Sequence, residues 1–240
     1  MLKTGVVMGN HSDGILHSEL FDSGILRLTL NDQKRRNALS EDMLARLVDV
    51  FSSAATNAEV RVIVLAAEGP AFSAGHDLKE ITAARSHEDA GKAYFTELLD
   101  TCASVMQLIV SNPKPVIAEV TGVATAAGCQ LVASCDLALA ADSARFATPG
   151  VNIGLFCSTP MVALSRNVAN KHAMEMLLTG DMVSASKAEE IGLINRAVAA
   201  EKLTAETMAM AAKIAFAGSN ALTSVNVIPV IKRFSLSASA

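Results

Sequence analysis

The sequence lacks the cysteine patterns of a metal site or of a disulfide framework. Its four cysteines, Cys102, Cys129, Cys135 and Cys157, form no C-x-x-C pair and have no histidine at a zinc-ligand spacing. We therefore expect reduced thiols that pack as small, buried apolar side chains, and no bound metal.

Clustered positive charge is also missing. The 240 residues include 20 Lys and Arg against 24 Asp and Glu, a net charge of −4, and the basic residues are dispersed along the chain. Because a nucleic-acid surface needs a basic patch, a nucleic-acid partner is not expected.

The sequence also lacks a long, continuous apolar run. The longest such stretch, 122–141, contains Gln130 and Asp136 and would cross a bilayer badly, so no membrane partner is expected. The opening MLKTGVVMGNHSDG has neither the apolar core of about 7–15 residues that marks a signal peptide nor an Arg-rich transit helix. We therefore predict a cytoplasmic protein.

Three common catalytic and nucleotide-binding motifs are absent. The sequence has no G-x-G-x-x-G, no P-loop and no G-x-S-x-G. The sequence therefore does not indicate dinucleotide binding, nucleoside triphosphate binding or α/β-hydrolase chemistry.

What the chain does contain is an alternation of strand and helix patterns. Apolar and β-branched runs predict strands, the first two forming a hairpin, and apolar residues at helical spacing predict helices, with Ser40 and Ser184 as N-caps. The predicted strands are 15–21, 25–30, 60–67, 116–120 and 137–141, and the predicted helices follow Ser40 and cover 88–110, 126–134 and much of 171–217. Such alternation predicts an α/β fold with parallel strands joined by helical crossovers.

The length and composition indicate a single domain. An apolar content of 51% in 240 residues suits one large core. We place this domain at 15–218, between an N-terminal extension at 1–14 and an atypical tail at 219–240 that contains no Asp or Glu.

Two loops rich in small residues follow predicted strands. They are GPAFSAGHDLKE at 69–80 and GVATAAGCQLVASCD at 122–136. Gly75 suits an unusual backbone angle and Asp77 a helix cap. Small residues let a ligand approach the backbone, and two main-chain N–H groups converging from different loops would form an oxyanion hole. The alternative is that the small residues only let helices pack tightly on the sheet.

Together, and about 50 residues apart, these loops resemble those of the crotonase superfamily, also called the enoyl-CoA hydratase/isomerase family. The resemblance extends over about 15–217 and includes LTLNDQKRRNALSEDM, AFSAGHDLKE, GVATAAGCQLVASCDLALAADSARFATPGVNIG and AMEMLLTGDMVSASKAEEIGLINRAV. It implies the crotonase fold, a spiral core of repeated β–β–α turns with a helical C-terminal part, assembled as a homotrimer or hexamer. It also implies an acyl-CoA or enoyl-CoA thioester as the ligand, with coenzyme A as part of the substrate and no other cofactor.

The resemblance assigns site residues by position. The oxyanion donors would be the main-chain N–H groups of His76 and Ala127, and the further substrate-binding positions would be Ala74, Asp77, Leu78 and Lys79. A thioester enolate carries negative charge on one oxygen, and two such donors would stabilise it where it forms.

The two glutamates that hydrate enoyl-CoA in this family are both replaced, by Gln130 and Gly150. Because an amide accepts no proton near neutral pH and glycine has no side chain, we expect poor hydration unless another group substitutes. His76, Cys157 and Ser158 are candidates, although Ser158 or Thr159 also suits a helix cap. Three hypotheses stay open: enolate chemistry on an acyl-CoA, acyl-CoA binding without catalysis, and a thioesterase that uses Cys157 or Ser158.

Overall fold

A computed structural model describes residues 14–220, with side chains up to 217. The chain is an α/β fold with two sheets of mainly parallel strands and a helical C-terminal part. The proposed extension at 1–14 and tail at 219–240 lie almost entirely outside the described residues.

Ten strands and eight helices are present in the described range. The strands are β1 (Leu16–Leu20), β2 (Ile25–Leu30), β3 (Val62–Ala67), β4 (Ala71–Ser73), β5 (Val116–Val120), β6 (Val123–Thr125), β7 (Leu137–Ala141), β8 (Arg145–Ala147), β9 (Val183–Ser184) and β10 (Arg196–Val198). The α-helices are α1 (Glu41–Thr56), α2 (Leu78–Ala84), α3 (Lys92–Val110), α4 (Ala127–Ser134), α5 (Ser158–Asn167), α6 (Asn170–Thr179), α7 (Ala185–Glu190) and α8 (Leu203–Asn220). Short 3₁₀ helices cover Gln33–Arg35, Pro149–Ile153 and Ala200–Lys202.

The larger sheet has the order β1-β2-β3-β5-β7-β10, and only the β1–β2 hairpin is antiparallel. Alternate residues of its strands point to opposite faces. Ile63 and Leu65 of β3 pack into the core with α1, α3 and α4, whereas Val62 and Val64 pack under α8. Both faces are therefore covered, as the continuous apolar composition of β3 predicts.

A partly buried ion pair beneath α8 joins strands β2 and β5 of the larger sheet. The guanidinium of Arg27 on β2 donates to both carboxylate oxygens of Glu119 on β5, at 2.9 and 2.7 Å, and the hydroxyl of Thr204 donates to the same carboxylate at 2.8 Å. Glu119 is 3% exposed. Since Thr204 lies in the first turn of α8, this cluster fixes the start of that helix over the sheet.

The smaller sheet has the order β4-β6-β8-β9, with β4, β6 and β8 parallel and β9 antiparallel. Each parallel strand is three residues long. This sheet positions the candidate site, because β4 and β6 lie within the two small-residue segments that the sequence singled out.

Most predicted elements are confirmed, including the hairpin, both serine N-caps and the helical character of 171–217. Ser40 accepts from the main-chain N–H of Met43, and Ser184 from that of Lys187. The predicted cap at Ser158 or Thr159 is wrong: Cys157 occupies the cap position of α5 and makes no side-chain capping bond. Ser158 and Thr159 both fall inside the helix, one and two positions after the cap residue.

Candidate functional site

The carboxyl ends of β4, β6 and β8 meet at one edge of the smaller sheet. Thr125 at the end of β6 is opposite Ala147 at the end of β8, and the main-chain N–H of Ala126 donates to the carbonyl of Ala147 at 2.9 Å. The segments that follow these strands, 74–77, 126–127 and 148–150, therefore begin side by side. Ligands of open α/β sheets commonly bind at such an edge.

Gly75 brings the two predicted loops into contact. A Cβ atom built at Gly75 would lie 3.0 Å from Cβ of Ala126 and 3.3 Å from the main-chain nitrogen of Ala127, and φ of Gly75 is +85°. Covalent geometry also keeps the Cβ position of Gly75 within about 4 Å of the main-chain nitrogen of the next residue, His76. The main-chain nitrogens of His76 and Ala127 therefore lie within about 7 Å of each other. Neither N–H group carries a hydrogen bond within residues 14–220.

The small residues of α4 are required by close packing. A Cβ atom at Gly128 would lie 2.2 Å from the carbonyl oxygen of Ser73 on β4, so only glycine fits. Ala126, immediately before the helix, has φ 52° and ψ −122°, a backbone conformation that favours glycine. The packing explanation of this loop is therefore correct, and the same packing is what places Ala127 beside Gly75.

Gln130 lies one turn into α4 and is 6% exposed. Its Oε1 atom has no hydrogen-bond partner among the described residues. Residues 127 and 130 share a helix face, and helical side chains lean toward the N-terminus, so the amide is directed toward the first turn of α4. The chain thus carries a buried, unsatisfied acceptor next to the junction of the two loops.

Gly150 is buried in the 3₁₀ helix that follows β8. A Cβ atom there would lie 2.8 Å from Sγ of Cys157 and 2.8 Å from the carbonyl oxygen of Leu155. No side chain fits at position 150 unless the 155–157 segment moves. The space beside Gly150 is occupied by a thiol, which the sequence alone did not indicate.

His76 is partly buried, and its Nδ1 has no partner within the described part of the chain. Burial lowers the pKa of the imidazole, and a hydrogen bond with the main chain of Leu39 raises it by a smaller amount. The ring is therefore a neutral group at physiological pH. Leu39 also holds the loop in place, because its N–H donates to the carbonyl of Gly75 at 2.8 Å.

Asp77 is the N-cap of α2, as predicted, and accepts from the N–H of Lys79 at 2.8 Å. Its other oxygen lies 3.4 Å from Arg35, which also pairs with Asp32 and with Glu80. This carboxylate is therefore already used by the fold. Of the other predicted binding positions, Ala74, Leu78 and Lys79 are exposed to solvent.

The thiols are less uniform than predicted. Cys102, Cys129 and Cys135 are buried, as expected, but Cys157 is partly exposed. Burial raises the pKa of Cys102 to about 11, and burial together with the neighbouring Cys157 raises the pKa of Cys129 to about 12. Cys157 is the accessible thiol of the described range.

Tyr94 on α3 was missed by sequence reasoning. Its buried hydroxyl lacks a partner among the described residues, and burial together with the charges of Glu41, Glu80 and Asp77 raises its pKa to about 12. The phenol is therefore near the start of α2. The only feature of the sequence that distinguishes Tyr94 is that it is the single tyrosine of the chain.

No group of three or more His, Cys, Asp or Glu side chains in the described range could hold a metal ion. No helix within 14–220 has the length and apolar content needed to span a bilayer.

The sequence matches the model of a known family over residues 21–228, described as enoyl-CoA hydratase/isomerase. The chain belongs to the enoyl-CoA hydratase/isomerase family. Among curated relatives, mouse enoyl-CoA hydratase domain-containing protein 3, mitochondrial, is 51% identical over 206 residues, which cover 86% of this chain and 67% of that protein. The 2,3-dehydroadipyl-CoA hydratase of Escherichia coli is 32% identical, covering 80% of this chain and 72% of that protein.

Solved structures of the family confirm the crotonase fold. An enoyl-CoA hydratase from Mycobacterium smegmatis superposes with a TM-score of 0.80 at 52% identity, covering 85% of this chain and 77% of that one. Human enoyl coenzyme A hydratase domain-containing protein 3 superposes with a TM-score of 0.80 at 46% identity, covering 93% of this chain and 82% of that one.

The predicted cytoplasmic location is contradicted by these comparisons. The relatives from mouse, rat, frog, human and zebrafish, at 46 to 52% identity, are all named mitochondrial proteins. The prediction failed because a protein's compartment depends on targeting segments that are separate from the folded core.

Proposed function

We propose that this protein binds an acyl-CoA thioester with the carbonyl oxygen between the main-chain N–H groups of His76 and Ala127, and that these donors stabilise the thioester enolate. The observation that carries the proposal is the contact of Gly75 with Ala126 and Ala127, which brings to the edge of the smaller sheet two N–H groups that have no partner among the described residues. Removing one donor of this kind typically lowers kcat about 10²–10³-fold.

The proposed ligand follows from the family. The E. coli relative is named for hydrating a CoA thioester, and the solved relative from Mycobacterium smegmatis is named an enoyl-CoA hydratase. We assign the exposed Ala74, Leu78 and Lys79 to the rim that meets the coenzyme A moiety, with Asp77 shaping that rim as the cap of α2. We further propose a homotrimer or hexamer in the mitochondrion, with no cofactor beyond the coenzyme A of the substrate.

Hydration itself should be slow. General acid and base groups each contribute about 10²–10⁴-fold, and the candidate site offers a neutral amide at Gln130 and no side chain at Gly150. Acyl-CoA binding with enolate stabilisation therefore fits the residues better than efficient addition of water.

Binding and turnover are measured separately. Butyryl-CoA binding is followed by calorimetry, hydration of crotonyl-CoA by loss of the enoyl absorbance, and enolate formation by exchange of the α-protons of butyryl-CoA in deuterium oxide. We expect binding and α-proton exchange, with hydration far below usual enzyme rates. Efficient hydration by the native chain would refute the role given to Gln130 and Gly150, and absence of butyryl-CoA binding would refute the site.

A single substitution tests the missing carboxylate. Gln130→Glu keeps the shape of the side chain and supplies a base, so we expect it to raise hydration at least about tenfold, within the range of one general base. The matched control is Gln107→Glu, the same change on an exposed part of α3. Gly150→Glu is a poorer test, because its Cβ would meet Leu155 and Cys157 at 2.8 Å.

A second candidate function is acyl-CoA binding without catalysis, which the loss of both carboxylates favours. It predicts the same calorimetric binding but no α-proton exchange above the rate in buffer. The exchange measurement therefore separates the two functions.

A further inference from the structure

The strongest unused feature of the molecule is the thiol of Cys157. The gap at Gly150 is filled by this sulfur, 2.8 Å from the position of a Cβ at residue 150. Residues 148–150 follow β8 and begin beside Ala126 and Ala127, which follow β6. The sulfur therefore belongs to the same edge of the smaller sheet as the two unpaired N–H groups.

A second, independent feature indicates that a ligand belongs there. Gln130 is 94% buried, and its Oε1 has no partner within residues 14–220. A buried acceptor without a donor is unfavourable, so a bound molecule that supplies a donor group would be stabilised there. Cys129, adjacent to Gln130 on α4, is close enough to Cys157 for the charge on one sulfur to influence the other.

The surroundings of the thiol suit an apolar acyl chain. Ile153, Leu155 and Phe156 precede Cys157, and their side chains are 66%, 61% and 46% exposed. Three exposed apolar side chains in four residues form a surface that an acyl chain could cover. The other cysteines of the described range are buried, so Cys157 alone is both accessible and beside the site.

We propose that Cys157 adds through Sγ to the β-carbon of a bound α,β-unsaturated acyl-CoA, so that the protein captures enoyl thioesters covalently. This inference rests on the proposed acyl-CoA site. Sulfur is an intrinsically strong nucleophile, and conjugate addition needs the charge stabilisation that the N–H groups of His76 and Ala127 would provide.

The step is balanced without an oxidant or another reactant. The thiol loses its proton to solvent, a bond forms between Sγ and the β-carbon, and the π electrons of the carbon–carbon double bond move toward the carbonyl to give an enolate. The enolate oxygen is held by the two N–H groups until the α-carbon takes up a proton from solvent. Coenzyme A stays attached, and the product is a thioether.

The experiment is intact-protein mass spectrometry after incubation with crotonyl-CoA, with butyryl-CoA as the saturated control of equal chain length. We expect a mass gain equal to the whole of crotonyl-CoA, mapped to Cys157, and none with butyryl-CoA. Excess butyryl-CoA should slow the reaction at least tenfold by occupying the site. A gain of the acyl mass alone, with release of free coenzyme A, would refute addition and indicate acyl transfer.

Variants make the test specific. Cys157→Ser should abolish the adduct. It should change the affinity for butyryl-CoA by no more than about threefold, because replacing one sulfur atom by oxygen is a small change in the site. Cys102→Ala and Cys135→Ala serve as matched controls and should retain the adduct. Labelling of native Cys157 by N-ethylmaleimide reports the accessibility of the thiol.

The two proposals fail differently. If butyryl-CoA binds but crotonyl-CoA leaves no adduct on a thiol that N-ethylmaleimide labels, covalent capture is wrong and the acyl-CoA site stands. If butyryl-CoA does not bind, both are wrong. An adduct on Cys157 that butyryl-CoA fails to slow would show reaction outside the site and would also overturn the inference.

Discussion

Replacing Ala126 by glycine should stabilise the protein. Ala126 has φ 52° and ψ −122°, a conformation in which its Cβ is strained, and such residues cost about 1–3 kcal/mol. Glycine removes that strain but gives the unfolded chain more conformational freedom, which opposes the gain by about 0.4–1 kcal/mol. The expected result is a net increase of about 1 kcal/mol in the free energy of unfolding.

The measurement is urea unfolding at constant pH, supported by a rise of about 2–4 °C in Tm for a chain of this size. Ala127→Gly is the matched control, since Ala127 is the first residue of α4 and is 3% exposed. There the change removes a buried methyl group and lowers helix propensity, so we expect a loss of about 1–2 kcal/mol. If both variants lose stability equally, the backbone conformation inferred for Ala126 is wrong.

Three further predictions concern packing, a buried charge and pH. Gly128→Ala places a Cβ 2.2 Å from the carbonyl oxygen of Ser73, so we expect a loss of at least about 2 kcal/mol in urea unfolding and weaker acyl-CoA binding; unchanged stability would contradict the contact. Glu119→Leu removes the carboxylate that holds Arg27 and should cost about 3 kcal/mol, the lower end of the range for a buried pair because Arg27 is partly exposed; the double variant with Arg27→Met should recover most of the loss. Burial lowers the folded-state pKa of His76, so the unfolded chain binds more protons below about pH 6.5 and stability should fall as the pH drops from there through the folded pKa. His76→Gln should flatten that part of a stability profile measured from pH 5 to 8, and an unchanged slope would exclude His76 as its source.

The elements of the larger sheet could be predicted because their signals are local. The run VIAEV at 116–120 coincides with β5, and Ser40 and Ser184 cap helices where apolar residues begin to recur at helical spacing. Asp77 also caps α2 as predicted. Each of these depends on residues within a few positions of one another, which sequence patterns report well.

The elements of the smaller sheet were harder to predict, because strands of two or three residues carry almost no periodicity. β4, β6 and β8 form through pairing with each other across about 20 to 50 residues of chain. The pairing of Arg27 with Glu119 spans 92 residues, and the contact between Gly150 and Cys157 depends on a turn whose shape no motif reveals.

Of the candidate site, the sequence indicated the two small-residue segments but not how the structure packs around Gln130 and Gly150. The resemblance to the family assigned roles to His76, Ala127, Gln130 and Gly150, and the structure places the segments that carry them at one edge of the smaller sheet. It did not show that the space beside Gly150 holds a sulfur atom. That information lies in the packing of the 155–157 segment, outside both loops.

The two interpretations of the small-residue loop, tight packing and ligand binding, turn out to be compatible. Gly128 is required because β4 passes within contact distance of α4, and that same closeness brings Ala127 beside Gly75. Packing alone, however, does not account for Gln130. A carboxylate at this position would pay a large desolvation penalty without a charge partner, and an apolar residue would leave nothing unsatisfied. A neutral amide whose buried oxygen has no partner among the described residues is less stabilising than an apolar side chain would be, and it is consistent with a site in which a ligand supplies the hydrogen-bond donor.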